Sequence, residues 1–413
     1  MARVGFVDDL VRSRDGGDAH KVTFVELFFD LVFVFAVTQI SHGLIAHPSA
    51  ETLVQTLVLT LAVWWVWLGT AWVTNWLNPE HRWVRTLLIA MMFVGLLMSS
   101  AIPEAFGDKA LLFAVSFVTI QVGRSLFTIF AFARRHPEKA GNFVRITIWM
   151  TAAGSLWILG AFAPPEIRLG VWVVAVAVDF VGPMARFAVP GLGGSVLSGW
   201  DISGQHMSER VSLFLIIALG ESIVVTGSTF SLLPIDTVHI ASFFAAFTSS
   251  VLMWLLYFSH AQSIGSNYIT QATDDRGVIA RAAFSYVPTL LVVGIVLAAV
   301  GDALVLDKPT ESVSAWTVAI VTGSSAAYLL GNALFARSIG GPWLAAHLIG
   351  IAVLAVVGVA FMWANALTVS WLTNGVLLAV IVGDELLHWR GRKKPEDDDT
   401  ITIEGDTDDD PSR

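Results

Sequence analysis

The chain reads as an all-α protein: a polytopic transmembrane helix bundle of about 12 spans, arranged as two six-helix repeats in parallel orientation. Three observations predict this. Of its 413 residues, 55% are hydrophobic and only 14% are charged, with a mean hydropathy of +0.71, whereas soluble domains carry about 25% charged residues. The apolar residues fall into twelve runs, each approaching the roughly 20 residues a helix needs to cross a bilayer. Lys and Arg are concentrated in alternate connections between those runs, as expected when one side of a membrane retains the basic residues.

In chain order, residues 1–23 are a polar arm mixing Arg3, Arg12, Arg14 and Lys21 with Asp8, Asp9, Asp15 and Asp18. The first half spans 24–188, with apolar runs at 24–45, 52–77, 84–101, 110–133, 143–163 and 168–188. Residues 189–206 form a Gly/Ser-rich linker, and the second half occupies 207–391, with runs at 207–230, 237–262, 279–300, 313–336, 342–362 and 365–389. Breakers punctuate the gaps, as at Asn78-Pro79, Pro164-Pro165 and Gly340-Gly341-Pro342. Only Trp363 and Ala364 separate the last two runs, so eleven spans is the alternative count. With the N-terminus inside and twelve spans, inner segments hold 20 Lys/Arg and outer loops hold only Lys109, Arg168 and Lys308, while Arg124 lies within a span. Both termini are therefore expected on the cytoplasmic side.

The repeat rests on local similarity. Residues 117–134 align without gaps on 320–337, sharing Val-Thr at one end and Phe-Ala-Arg at the other. Asp179 and Asp384 occupy similar places near the ends of the sixth and twelfth runs. An even number of spans per half gives both halves the same orientation, an arrangement common in transporters.

Composition also excludes several classes. Cysteine is absent, which rules out disulfides, thiolate catalysis and Cys-ligated metals. HExxH, Gly-x-Ser-x-Gly and P-loop patterns are missing, so no enzyme activity and no cofactor are expected. His42, His260 and His347 are single histidines without ligand spacing, read as buried hydrogen-bonded groups rather than a metal site. Most of the net charge of −9 lies in the acidic tail after residue 395, so nothing suggests nucleic-acid binding. Residues 392–413, basic and then acidic, have too little apolar content to fold.

Charges within the spans carry the functional expectation, because ionisable groups in a bilayer usually face the protein interior or a wet cavity. Glu26 and Asp30 are four residues apart, hence on one face of the first span. At about 1.5 Å per residue, Arg124 lies roughly 15 Å and Glu221 about 18 Å from the inner surface. Their matching depth predicts a midplane ion pair. The substrate or ion path is accordingly assigned to Glu26, Asp30, Arg124, Asp179, Glu221, Ser222 and Asp384. Glu26, Glu209 and Arg210 also read as near the interface, where such groups snorkel or cap a helix, and the Trp64-Trp65-Val66-Trp67 run reads as lipid and interface packing. Arg390, Arg392, Lys393 and Lys394 cluster at the membrane surface, where they are assigned to anionic lipid headgroups.

Two stretches add a resemblance. VTFVELFFDLVFVFAVTQISH (22–42) and SERVSLFLIIALGESIV (208–224) resemble the two most recognisable segments of the bacterial low temperature requirement protein A family. Glu26, Phe28, Phe29 and Asp30 match the first, and Glu209, Arg210, Gly220, Glu221 and Ser222 match the second. The resemblance implies a multi-pass bacterial inner-membrane protein associated by name with growth in the cold, and implies no particular substrate. The leading functional expectation is a secondary, ion- or proton-coupled transporter of a small solute, with membrane lipids as surroundings. An ion channel, or a non-transporting lipid-homeostasis or scaffold protein of cold adaptation, stands as the alternative. The oligomeric state is left open.

Overall fold

The computed structural model describes residues 10–12, 21–195, 203–258, 284–339 and 341–392. Among the described residues the chain is all-helical. The helices are α1 (Phe24–Ala46), α2 (Ala50–Trp76), α3 (Arg82–Ala101), α4 (Ala110–Phe132), α5 (Pro137–Phe162), α6 (Pro165–Met184), α7 (Gly204–Phe230), α8 (Thr237–Leu256), α9 (Val287–Asp307), α10 (Ala315–Ser338), α11 (Ala345–Ala360) and α12 (Ala366–Arg392).

Local chemistry sets the helix ends. Ser49, Ser203 and Ser314 each accept a backbone N–H of the first turn, at Thr52, His206 and Thr317, satisfying donors that have no partner within the helix. Pro137 and Pro165 open α5 and α6, where a missing N–H costs nothing. Arg168 was expected in an outer loop. It sits instead in the first turn of α6, buried, and its guanidinium donates to the carbonyls of Gly160, Ala161 and Ala163 at the end of α5 and to Phe106 and Gly107. One side chain thus ties five carbonyls, from the end of α5 and the turn before α4, to the start of α6.

Eleven of these helices are long and apolar enough to cross a membrane, and α11, with 16 residues, is shorter. The expectation of twelve full spans is corrected at that point: the 342–362 run loses its ends to an extended entry before Ala345 and a turn after Ala360. The ninth run is also displaced, since its helix covers Val287–Asp307 rather than 279–300 and thereby draws Asp302 into a buried helix. Glu26, Asp30, Phe33 and Val37 line the buried side of α1, while Phe24, Phe28, Leu31 and Phe35 form its exposed side. Each set recurs at helical spacing, so one apolar stripe faces outward and the charged stripe faces the protein.

The helices of the two segments pack in matching order. In the first, α1 packs on α2 and α3, α3 on α4, α4 on α5, α5 on α6, and α2 on α6. In the second, α7 packs on α8 and α9, α9 on α10, α10 on α11, α11 on α12, and α8 on α12. The two segments meet where α1 and α2 contact α7 and α9. α2 and α9 are the most enclosed helices. The Trp-rich run of α2 is therefore core rather than lipid-facing: Trp64 and Trp67 are fully buried against Phe214 of α7.

Candidate functional site: a polar seam and an arginine-lined cavity

α1 and α7 run side by side in the same direction, joined by hydrogen-bonded side chains at two levels. Glu26 meets His206, with Oε1 3.0 Å from Nε2. One turn deeper, Asp30 Oδ1 accepts from Arg210 Nη2 at 2.8 Å. Deeper still, Glu221 faces Thr38. Glu26, Asp30, His206 and Arg210 are all completely buried. The seam exists because two i,i+4 pairs, 26/30 and 206/210, present their side chains at equal spacing on parallel helices.

The outer rung is fixed from three sides. Thr23, the residue preceding α1, donates both its N–H and its hydroxyl to Glu26 Oε2 at 2.9 Å, a local cap of the helix start. Asn75 of α2 donates to the Ser203 carbonyl and accepts from the Ser203 N–H, which settles which end of its amide is nitrogen. That nitrogen lies 3.2 Å from His206 Nδ1. Nδ1 must then be the acceptor, so the ring proton sits on Nε2 and is donated to Glu26.

The inner rung is an ion pair with an aromatic wall. Trp67 Nε1 donates to the same Asp30 oxygen at 2.8 Å, and the Arg210 guanidinium stacks over the Trp67 ring, 5.5 Å from its centroid. Asp30 Oδ2 and Arg210 Nε and Nη1 have no hydrogen-bond partner. The pair is thus strong but incompletely satisfied, a costly state for buried charge. Arg210 was expected at the interface, where it would snorkel. A carboxylate one helix away holds it inside instead.

The expected pair of Arg124 with Glu221 does not form. Arg124 Nη1 donates to Val66 O at 2.9 Å and Thr70 Oγ1 at 3.0 Å, and Nη2 donates to Gln121 Oε1. Matching depth did not bring the two charges together because Arg124 turns toward α2 while Glu221 faces Thr38 of α1. Gly69 makes the arrangement possible, since a Cβ there would overlap the guanidinium. Asp179 is the acid whose field reaches Arg124, and its carboxylate accepts from Trp157 Nε1 at 3.0 Å. The three bonds leave two of the five guanidinium donors of Arg124 unused.

Arg124 opens onto a cavity of about 350 Å³ between α2, α4, α5 and α6. Trp65, Trp72, Phe143 and Tyr286 supply aromatic walls, and Met184, Arg186 and Phe187 lie at the end of α6. Arg186 and Phe187 both adopt positive φ, at 53° and 49°, a left-handed conformation uncommon outside glycine. The remaining predicted residues lie apart from this cavity. Ser222 is 3.2 Å from Ser250 on α8, and Asp384 Oδ2 is 3.2 Å from His347 Nδ1 on α11. Lys393, Lys394 and the side chains of Arg390 and Arg392, assigned to lipid headgroups, lie outside the described residues, as does His260.

Comparison with known proteins places the chain. The family model described as "Bacterial low temperature requirement A protein (LtrA)" matches residues 21–382. The chain belongs to the LtrA family. A relative, the uncharacterized protein RA0937 of Rhizobium meliloti (strain 1021), is 36% identical over 372 residues, covering 89% of this chain and 90% of that protein. No solved structure matches. The LtrA match begins just before Thr23 and runs through both rungs of the seam, Arg124 and Asp302.

His206, Asn75 and Gly69 were not singled out from the sequence, and Trp67 was read there only as lipid and interface packing. One signal was present: His206 and Arg210 repeat the four-residue spacing of Glu26 and Asp30.

Proposed function

We propose that this LtrA-family protein is a secondary transporter, not an enzyme, and that the cavity beside Arg124 takes its solute. The observation that carries the reading is that cavity: about 350 Å³ falls within the few hundred cubic ångströms usual for small-molecule sites, which are likewise mostly apolar with few polar groups. Arg124 and Arg186 make its charged lining positive, which favours a small organic anion with an apolar body. Matching helix neighbours in 24–188 and 207–391, and the parallel course of α1 and α7, support two six-helix repeats of the same orientation. In this reading the halves rock about the α1–α7 seam to alternate access. The Lys/Arg bias supports an inner-membrane protein with both termini cytoplasmic.

The test is uptake of aromatic and short-chain aliphatic carboxylates into proteoliposomes with a pH-reporting interior. Wild type is expected to show saturable flux, and Arg124→Gln, shown to be folded, is expected to lose it. Flux unchanged in Arg124→Gln refutes the assignment of the cavity, and non-saturating conductance favours a channel. Absence of flux from both folded proteins across the panel favours the non-transporting, lipid-related alternative.

A further inference from the structure

Asp302 of α9 is 6% exposed and its Oδ2 has no hydrogen-bond partner. Among the described residues no charged side chain acts on it. It lines a cavity of about 10 Å³ together with Ser249 of α8, Ser324 and Ser325 of α10, and Ser370, Thr373 and Asn374 of α12. Three helices therefore converge, through oxygen-bearing side chains, on a carboxylate carried by a fourth. Thr373 Oγ1 is also buried without a partner. Asn374 commits its amide nitrogen to Ala245 O at 2.8 Å, leaving Oδ1 as the atom it presents.

An ionised carboxylate without a counter-charge is among the costliest groups to bury. The other polar cluster of this fold, the α1–α7 seam, solves that problem with Arg210; this one has no cationic side chain among the described residues. Its surroundings are hydroxyl, amide and carboxylate oxygens, the ligand set of hard cations rather than soft ones. A volume of about 10 Å³ admits a single water-sized occupant. One carboxylate balances one positive charge, whereas a divalent ion would leave net charge buried.

We propose that Asp302, with Thr373, Asn374 and the neighbouring serines, binds a small monovalent cation of the size of Na⁺. As a binding site it stands apart from the solute cavity beside Arg124, with which it shares no lining residue. As the coupling ion of a transporter it rests on the function proposed above, and equilibrium binding separates the two: Na⁺ bound without solute flux defeats only the transport reading.

The experiment uses the full-length protein in detergent at fixed pH. Thermal unfolding is followed by tryptophan fluorescence in NaCl against choline chloride at equal ionic strength, alongside ²²Na⁺ binding. Wild type is expected to gain stability saturably with Na⁺ and to bind about one ion per chain, in line with a one-occupant cavity. Asp302→Asn is expected to lose both effects. Thr373→Val keeps the carboxylate and covers the case in which Asp302→Asn fails to fold. Loss of one neutral ligand there is expected to weaken Na⁺ about tenfold. The proposal is overturned if wild type shows no difference between the two salts, if Asp302→Asn retains the Na⁺ response, or if Thr373→Val binds Na⁺ as wild type does. It is also overturned if Asp302→Asn is stabilised equally in both salts, which identifies a proton as the occupant.

Discussion

Neutralising one partner of the Asp30–Arg210 pair isolates the energetic role of the seam. The charges approach to 2.8 Å with both side chains fully buried. Two unit charges with centres about 4 Å apart, at an effective dielectric constant near 20, attract by about 4 kcal/mol. That agrees with the roughly 3–5 kcal/mol lost when one member of a buried pair is removed and the other stays charged. Asp30→Asn keeps an oxygen for Trp67 Nε1, so most of its cost is expected to come from the stranded guanidinium. Arg210→Gln strands the carboxylate instead. The double variant removes both charges, and its loss is expected to be smaller than the sum of the singles by about 2–3 kcal/mol, a large coupling by double-mutant standards. SDS titration in mixed micelles, read by tryptophan fluorescence, measures all four proteins. If the single losses add to within about 0.5 kcal/mol, the pair carries no coupling and the seam is not held by charge.

Other residues give sharper local outcomes. Gly69→Ala is expected to displace the Arg124 guanidinium from Val66 O and Thr70, costing about 1–3 kcal/mol as an overpacked core does, and to reduce solute flux; unchanged stability and flux would show that Arg124 is free to move. Arg168→Lys replaces a planar fork by a point charge and is expected to cost about 2 kcal/mol, read by the same titration and by proteolysis near Pro164. Asn75→Asp is expected to destabilise more than Asn75→Ala, because an oxygen facing Ser203 O and His206 Nδ1 repels both; the reverse order refutes the tautomer assigned to His206. Asp236 caps α8 through the N–H groups of Val238 and His239, and the His239 N–H holds its carboxyl below the usual aspartate range. A depressed folded value stabilises above the unfolded one, so this contribution is expected to be lost as pH falls through the folded value. Asp236→Asn is expected to remove that dependence from acid-unfolding curves.

Much of the fold was legible because a bilayer demands long apolar helices and the chain supplies them with breakers between. Glu26 and Asp30 were legible as inward-facing for the same reason: two acids on one helical face cannot meet lipid. Their partners were not. His206 and Arg210 lie 180 residues away, and nothing local specifies which helix will be the neighbour. The inferred Arg124–Glu221 pair failed because depth fixes only one coordinate, while the position of a residue around the helix decides which neighbour it meets. Arg124 turned to neutral oxygens on α2, and the clue was Gly69 in a run of bulky residues. Asp302 was missed by placing the ninth helix too early, which left a buried acid in a presumed loop.

The separation of 180 residues along the chain between the two sides of the seam also sets a schedule for synthesis. Glu26 is capped by Thr23 as soon as α1 emerges, but Asp30 needs Arg210 and Trp67. At roughly 5–20 residues per second, α7 arrives about 10–40 seconds after α1. During that interval the first helix carries an uncompensated acid, and five further helices must be inserted around it. Its Trp67 contact, on the next helix to appear, supplies interim shelter. Substitutions at Trp67 are therefore expected to act on yield during membrane insertion before they act on the finished protein.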